Sequence, residues 1–273
     1  MSRPVTPRAL TALVYAPAGE PEIDDPAERY HLAAKTYRET IGRESPGFAA
    51  LEADAALQEV VLRAVKRHEQ HPAIDLPVAA RLDEGLSSLL ARRRSGRGFA
   101  DRGISLVEVA TLLHSGYGVT SREEVPLRSV PSGGALYPLE LYLLASRVDG
   151  LGQGIYHYDP LRHVLEQLAL CELEEKVRQV HVYPELADAA ALLALTGMFW
   201  RSRFKYGLRG YRFTLLEAGH VMQNVVLAAT ALGLSSIPVG GVFDADLEAL
   251  LRVNGLDESL VYCAAIGPAP PRP

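Results

Sequence analysis

Four arginines and a serine crowd one turn: Arg92, Arg93, Arg94, Ser95 and Arg97, with Gly96 and Gly98 keeping the backbone open. A guanidinium carries five donors in a rigid fork and stays protonated in a folded protein. Such a turn suits a phosphate or an electron-rich ring oxygen. A solvated basic loop has the same composition. The second candidate is Lys205-Tyr206, inside Phe204-Lys205-Tyr206-Gly207-Leu208-Arg209-Gly210-Tyr211-Arg212. Cationic neighbours and burial both lower a lysine pKa, so the pair could move a proton. A surface loop with one snorkelling lysine fits those residues too. Third, Glu217, His220 and Asn224 fall at i, i+3 and i+7, with Gln223 beside them, and so share a helix face. Glu-x-x-His is half of a di-iron motif, but the second half is missing, since His68-Glu69-Gln70-His71 has the wrong order. A polar stripe at a subunit interface is the better reading, and no metal is expected. His157 and His163 read simply as strand residues.

Two further loops are glycine-rich and nearly uncharged: Pro131-Ser132-Gly133-Gly134-Ala135-Leu136-Tyr137-Pro138 and Ile237-Pro238-Val239-Gly240-Gly241. Glycine lets backbone N–H groups approach a ligand closely. Neither loop has the spacing of a dinucleotide or P-loop motif. Singly, each reads as an ordinary turn. Together with the arginine turn they suit a flat ring with polar edges and a phosphate tail.

The elements that must position these residues alternate between helix and strand. Pro26 to about Ile41 and Phe48 to about His68 have helical apolar spacing, and the first 25 residues, rich in Pro, Ala and Gly, look loosely ordered. Pro72 and Pro77 then mark a boundary, so residues 1–77 read as an N-terminal helical extension and 78–273 as the main domain. A helix is expected near 105–115 and an apolar strand over 139–147. A hairpin is expected about Pro160-Leu161-Arg162, with strands at 154–159 and 163–168. A helix follows near 172–180, and the apolar stretch 190–200 fits strand or helix. Residues 213–232 form the clearest helix, apolar almost all round and therefore expected to be buried on every face, ending at Gly233. A short helix at 246–252 and a strand at 260–266 close the chain.

The bulk properties narrow the class. The chain has 273 residues, 48% of them hydrophobic, and a formal charge of −5, which gives no general attraction to nucleic acid or an anionic membrane. Cys171 and Cys263 are the only cysteines, far apart and outside any metal-ligand spacing. The N-terminus lacks signal-peptide character and no apolar run reaches transmembrane length, which predicts a cytoplasmic protein without a membrane partner.

The three loops together resemble the flavin-dependent nitroreductase superfamily. Arg93-Arg94-Ser95-x-Arg97-x-Phe99 looks like its N-terminal flavin motif, and Pro238-Val239-Gly240-Gly241 resembles the segment that runs along the isoalloxazine ring. Arg128 to Pro138, with Gly154-Ile155-Tyr156-His157-Tyr158-Asp159-Pro160, is similar to the SagB/McbC-type branch, whose members oxidise azolines to azoles in peptide natural products or serve as oxidase domains of peptide synthetases. The likeness runs from Leu82 to the C-terminus, and Tyr30-His31 and Ile74-Asp75-Leu76-Pro77 share it.

The resemblance implies an α+β fold: a central, mostly antiparallel sheet flanked by helices, in an intertwined homodimer with FMN at the interface. It implies that Arg93, Arg94, Ser95 and Arg97 hold the FMN phosphate, ribityl chain and pyrimidine edge. Pro131, Ser132 and Gly133 would approach from the partner subunit. The backbone at Pro238, Gly240 and Gly241 would face the ring, and Arg272 would be a terminal phosphate ligand. Ala135 and Tyr137 stand where generic nitroreductases commonly carry Asn and Gln, so a site built on those side chains does not transfer. The azoline-oxidising branch has a Lys-Tyr pair that its members need for activity, which casts Lys205 as base and Tyr206 as its partner. The implied reaction is oxidation of a thiazoline or oxazoline in a peptide, without nicotinamide, with a cyclodehydratase as a further partner. Two alternatives are an NAD(P)H-dependent nitro- or quinone reductase and a flavin-free scaffold subunit.

Overall fold

The computed structural model describes residues 26–38, 47–62, 65–122 and 125–271. The chain divides into two compact units, residues 1–44 and 45–273. In the first, the described element is helix α1 (Pro26–Ala33), shorter than its apolar spacing predicts. The first 25 residues lie outside the described residues.

The second unit is built on a seven-stranded sheet, antiparallel throughout, in the order β1-β8-β7-β5-β9-β11-β10. The strands are β1 (Ala73–Asp75), β5 (Leu139–Ala145), β7 (Gly154–Asp159), β8 (Val164–Leu170), β9 (Ala191–Gly197), β10 (Leu234–Val239) and β11 (Ser259–Pro268). Outside it stand two short pairs: β2 (Ile104–Ser105) with β6 (Val148–Asp149), and β3 (Val119–Ser121) with β4 (Leu127–Arg128). The expected hairpin forms β7 and β8, with His163 at a left-handed φ of 57° in the turn. The ambiguous stretch 190–200 resolves into β9, whose residues are all buried. Pro238 sits in β10, an edge strand, where a missing N–H breaks no ladder.

The helices are α2 (Gly47–Ala53), α3 (Ala55–Leu62), α4 (Leu86–Arg92), α5 (Leu106–Tyr117), α6 (Glu174–Val180), α7 (Phe199–Tyr206), α8 (Leu208–Ala231) and α9 (Asp244–Leu251). Asp54 interrupts the predicted 48–68 helix by capping α3, its Oδ1 accepting from the N–H groups of Ala56 and Leu57. Ser105 and Glu108 form a capping box at the start of α5. Strand alternation gives the sheet two apolar faces. Leu139, Leu141, Leu143, Leu193 and Leu195 pack against α5 and α8, while Leu144, Leu192, Ala194 and Ala265 pack against α6 and α9. Both cysteines are free thiols.

The segment 45–77, read from sequence as extension, sits in the same unit as the sheet: Ala73–Asp75 pairs with β8. α8 is not buried on every face of this chain. Leu208, Leu215 and Leu216 are 43%, 41% and 56% exposed. Among the described residues no helix is long and apolar enough to cross a membrane.

Candidate functional site

The arginine turn leaves α4 and lies on β10. The Gly96 N–H donates to the Ser236 carbonyl at 3.0 Å, and a Cβ on Gly96 would stand 2.2 Å from Ser235 Oγ. Only glycine allows so close an approach. Arg92 is committed to Glu84 and the Thr230 carbonyl, and Arg94 folds back onto the carbonyls of Ala91 and Arg93. The side chains of Arg93 and Arg97 bond to no described residue. Arg97 lines a cavity of about 250 Å³ with Ile237–Gly241, Tyr183, Glu185 and Leu186. Space is open where a Gly240 side chain would stand. Uncommitted guanidiniums beside a glycine-lined backbone make a half-site for an anion attached to a flat group.

Lys205 and Tyr206 end α7 at Gly207, whose φ of 56° and ψ of −138° turn the chain into α8. Against them lies the loop 131–138. A Cβ on Gly134 would stand 2.7 Å from Tyr206 Oη and 2.9 Å from Lys205 Nζ, so both polar atoms meet the same glycine. The loop is strained, with Gly134, Ala135 and Tyr137 at φ values of 66°, 53° and 44°. Left-handed backbone at a tyrosine costs of the order of 1–3 kcal/mol and persists only where the surroundings impose it. Here Ser132 Oγ accepts from the Tyr137 N–H and Tyr137 Oη accepts from the Arg128 N–H. Lys205 lines a cavity of about 330 Å³ with Gly134, Leu136, Leu51, Glu52, Gln58 and Val61. Burial pushes the Tyr206 hydroxyl pKa up, so it stays protonated.

Glu217 ties this loop to α8. It accepts from Tyr117 Oη at 2.6 Å and bonds the Ser132 hydroxyl, while Arg128 lies 4.2 Å and 4.6 Å from the centroids of the Tyr117 and Tyr137 rings. Burial pushes the Glu217 carboxyl up to about 7, against the lowering effect of the two hydroxyls and Arg128. A folded-state pKa above the unfolded value means the native state holds the proton longer. Stability should therefore fall as the pH rises from 4.5 to about 7, by up to about 3 kcal/mol. Urea denaturation across that window measures the slope, and Glu217→Gln is expected to flatten it. His220 is exposed, while Asn224 Nδ2 donates to the Ser115 and Ser129 carbonyls.

The candidate residues therefore fall in two places on the chain, each beside its own cavity. Arg97 meets Pro238, Gly240 and Gly241, with Arg93 and exposed Ser95 in the same turn. Ser132, Gly133 and Gly134 meet Lys205, Tyr206 and Glu217 instead, and Pro131 is exposed at the loop's edge. Arg92 bonds at Thr230 and Gly133 packs on Phe213, positions separated by about 25 Å along α8 at the helical rise. Arg272 lies outside the described residues. The sequence reading missed Tyr183 and Glu185 beside Gly240, and α2 and α3 beside Lys205. No spacing could have shown them, because each comes from a segment distant in the chain.

A profile described as "Nitroreductase family" matches residues 90–268. The "Putative nitroreductase MJ1384" of Methanocaldococcus jannaschii is 35% identical over 178 residues, covering 62% of this chain and 85% of that protein. The "Microcin B17-processing protein McbC" of Escherichia coli is 34% identical over 160 residues, covering 56% of this chain and 58% of the other. Among solved structures, a chain of the E. coli microcin synthetase McbBCD complex with truncated pro-MccB17 bound superposes with a TM-score of 0.60 at 24% identity. That superposition covers 95% of this chain and 98% of that one.

Proposed function

Because the chain belongs to the nitroreductase family, we propose that it is an FMN-dependent dehydrogenase oxidising the thiazoline or oxazoline rings of a modified peptide to azoles. The observation that carries this reading is the meeting of Lys205 and Tyr206 with a strained glycine loop at the mouth of a cavity. A nitro reductase needs no residue to remove a carbon-bound proton, whereas azoline oxidation does. The similarity to McbC, whose name describes processing of microcin B17, supports a peptide substrate and a cyclodehydratase as partner.

The residues of the other half-site fit FMN. Arg93 and Arg97 are the uncommitted cations for the phosphate and the pyrimidine edge, and the open backbone at Pro238, Gly240 and Gly241 can face a flat ring. When bound, FMN supplies the two-electron acceptor, which dioxygen restores. The chain's own groups do the rest. Lys205 removes the proton from the ring carbon beside the carbonyl, where the developing negative charge is delocalised. Tyr206, kept neutral by burial, offers its hydroxyl as the neighbouring donor. Aromatisation makes the loss of two hydrogens favourable.

A homodimer completes the site in this reading. Leu208, Leu215 and Leu216 form, with exposed Trp200 and Phe204 of α7, an apolar face for a second copy. The test incubates FMN-loaded protein with a thiazoline peptide in air, without nicotinamide. Each ring is expected to lose two hydrogens by mass spectrometry. Turnover of nitrofurazone with NADPH and none of the azoline at saturating enzyme would show a reductase instead. A colourless protein that takes up no FMN would point to a scaffold.

A further inference from the structure

A charged cluster lies buried on the face of the sheet that otherwise packs α6 and α9. Glu140 and Tyr142 of β5, His157 of β7, Glu166 of β8 and Thr196 of β9 are neighbours in register, each at most 2% exposed. His157 sits at its centre. Nε2 lies 2.9 Å from Glu140 Oε2 and Nδ1 lies 2.9 Å from Glu166 Oε2. Carboxylates only accept, so both ring nitrogens must donate and the ring is an imidazolium. His68, His157 and Glu166 also cluster within 4.8 Å, a spacing that suits a metal ion. A ring with both nitrogens donating has no lone pair to give one.

Other bonds of the two glutamates reach segments that flank the Lys205 cavity, while Glu166 Oε1 accepts from Arg162 of the hairpin. Glu140 Oε1 accepts from the Lys66 N–H at 3.1 Å and from Arg201 at 2.6 Å; Glu166 Oε2 accepts from the His68 N–H at 3.0 Å. Lys66 also bonds Glu258 at 2.6 Å, which holds Tyr142 and Thr196. Residues 65–71 come shortly after α2 and α3 in the sequence, and those helices supply Leu51, Glu52, Gln58 and Val61 to the cavity. Arg201 lies one turn before Lys205 on α7 and also donates to the Tyr137 carbonyl of the strained loop.

We propose that His157 is a positioning residue, clamping both walls of the substrate cavity, α2–α3 and α7, to the sheet through Glu140 and Glu166. This rests on the reading of Lys205 as the base. A neutral imidazole has one N–H, so loss of the proton would leave one glutamate facing a lone pair and loosen its hold on a wall. Burial opposes the charge, but the hydrogen bonds to Glu140 and Glu166 outweigh it and push the His157 pKa up to about 9. The other titratable or charged groups about the ring are Lys66, Arg67 and His68 of the covering segment, Asp159 and Arg162 of the hairpin, and Arg201 of α7. Burial lowers the His68 pKa to about 4, with His157 and Lys66 adding to the shift, so His68 stays neutral. The stabilisation from the charged ring is complete below 6.5 and is lost as the pH climbs through about 9.

The test compares FMN-loaded wild type, His157→Gln, Arg201→Leu and Arg201→Lys. Amide hydrogen exchange in 47–71 and 199–206 should accelerate about tenfold or more in His157→Gln, with β9 and β11 unchanged. The KM for the azoline should rise about tenfold with FMN content retained. Arg201→Leu should loosen 199–206 alone and Arg201→Lys should behave as wild type. Unchanged exchange in 47–71 and 199–206, or acceleration spread evenly over the sheet, would overturn the clamp. So would a lowered melting temperature with an unaltered KM. If wild type oxidises no azoline, the functional reading fails, while the exchange data still judge the clamp.

Discussion

Lys205→Ala is expected to lower azoline oxidation by roughly 10²–10⁴-fold while FMN stays bound. The magnitude follows from its role. A positioned base lowers the barrier to removing a carbon-bound proton, and no other described residue lining that cavity is a comparable base. Glu52 is the other ionisable group there, and its carboxylate is far less basic than an amine. Lys205→Arg separates base from charge, because a guanidinium keeps the positive charge but does not give up its proton. It should be nearly as inactive as Lys205→Ala. Tyr206→Phe removes a hydroxyl that burial keeps protonated and should have a smaller effect. Single-turnover rates with a thiazoline peptide, beside flavin content from absorbance, measure each step. Undiminished oxidation by Lys205→Ala would remove it from the chemistry.

The double substitution Arg93→Ala with Arg97→Ala is expected to weaken FMN binding by about 3–6 kcal/mol, or roughly 10²–10⁴-fold in Kd. Each arginine is assigned one charge-assisted contact, and neither is held by another group among the described residues. Arg94→Ala serves as the internal comparison. Its guanidinium already satisfies the carbonyls of Ala91 and Arg93, so its removal should weaken FMN less. Fluorescence titration of apoprotein with FMN gives the constants, and the loss should shrink at high salt where the phosphate term is screened. Wild-type affinity in the double variant would place the cofactor elsewhere.

Much of the fold could be read locally. The capping pair Ser105 and Glu108, the hairpin at 160–162 and the stop at Gly233 are signals within a few residues of the feature they produce. Helix and strand periods depend on neighbours three or two residues away, so windows of sequence suffice. The family motifs are legible for the same reason, being short runs whose residue types are dictated by one ligand. Where the reading erred, the information was not local. α8 is apolar on nearly all sides, yet which side stays exposed in this chain is not written in its period. The break inside 48–68 is the exception, a local cap at Asp54 that the continuous helical spacing masked.

His157 shows the limit most clearly. In sequence it is a histidine in Gly154–Asp159, and alternation assigns it to one face of a strand without saying what lies there. Its function depends on Glu140, Glu166, Lys66, His68 and Arg201, which come from three other strands or segments and one helix. The sequence by itself determined the family, most element types and the residue types that could do chemistry, because each is a short-range pattern. Tertiary structure decided which of them meet. It set Gly134 against Lys205 and Tyr206, kept the arginine turn at the far end of α8, and gave one buried imidazolium two carboxylates. Those pairings depend on sheet register and helix packing between segments as far apart in the chain as Arg92 and Thr230, and no local pattern encodes them.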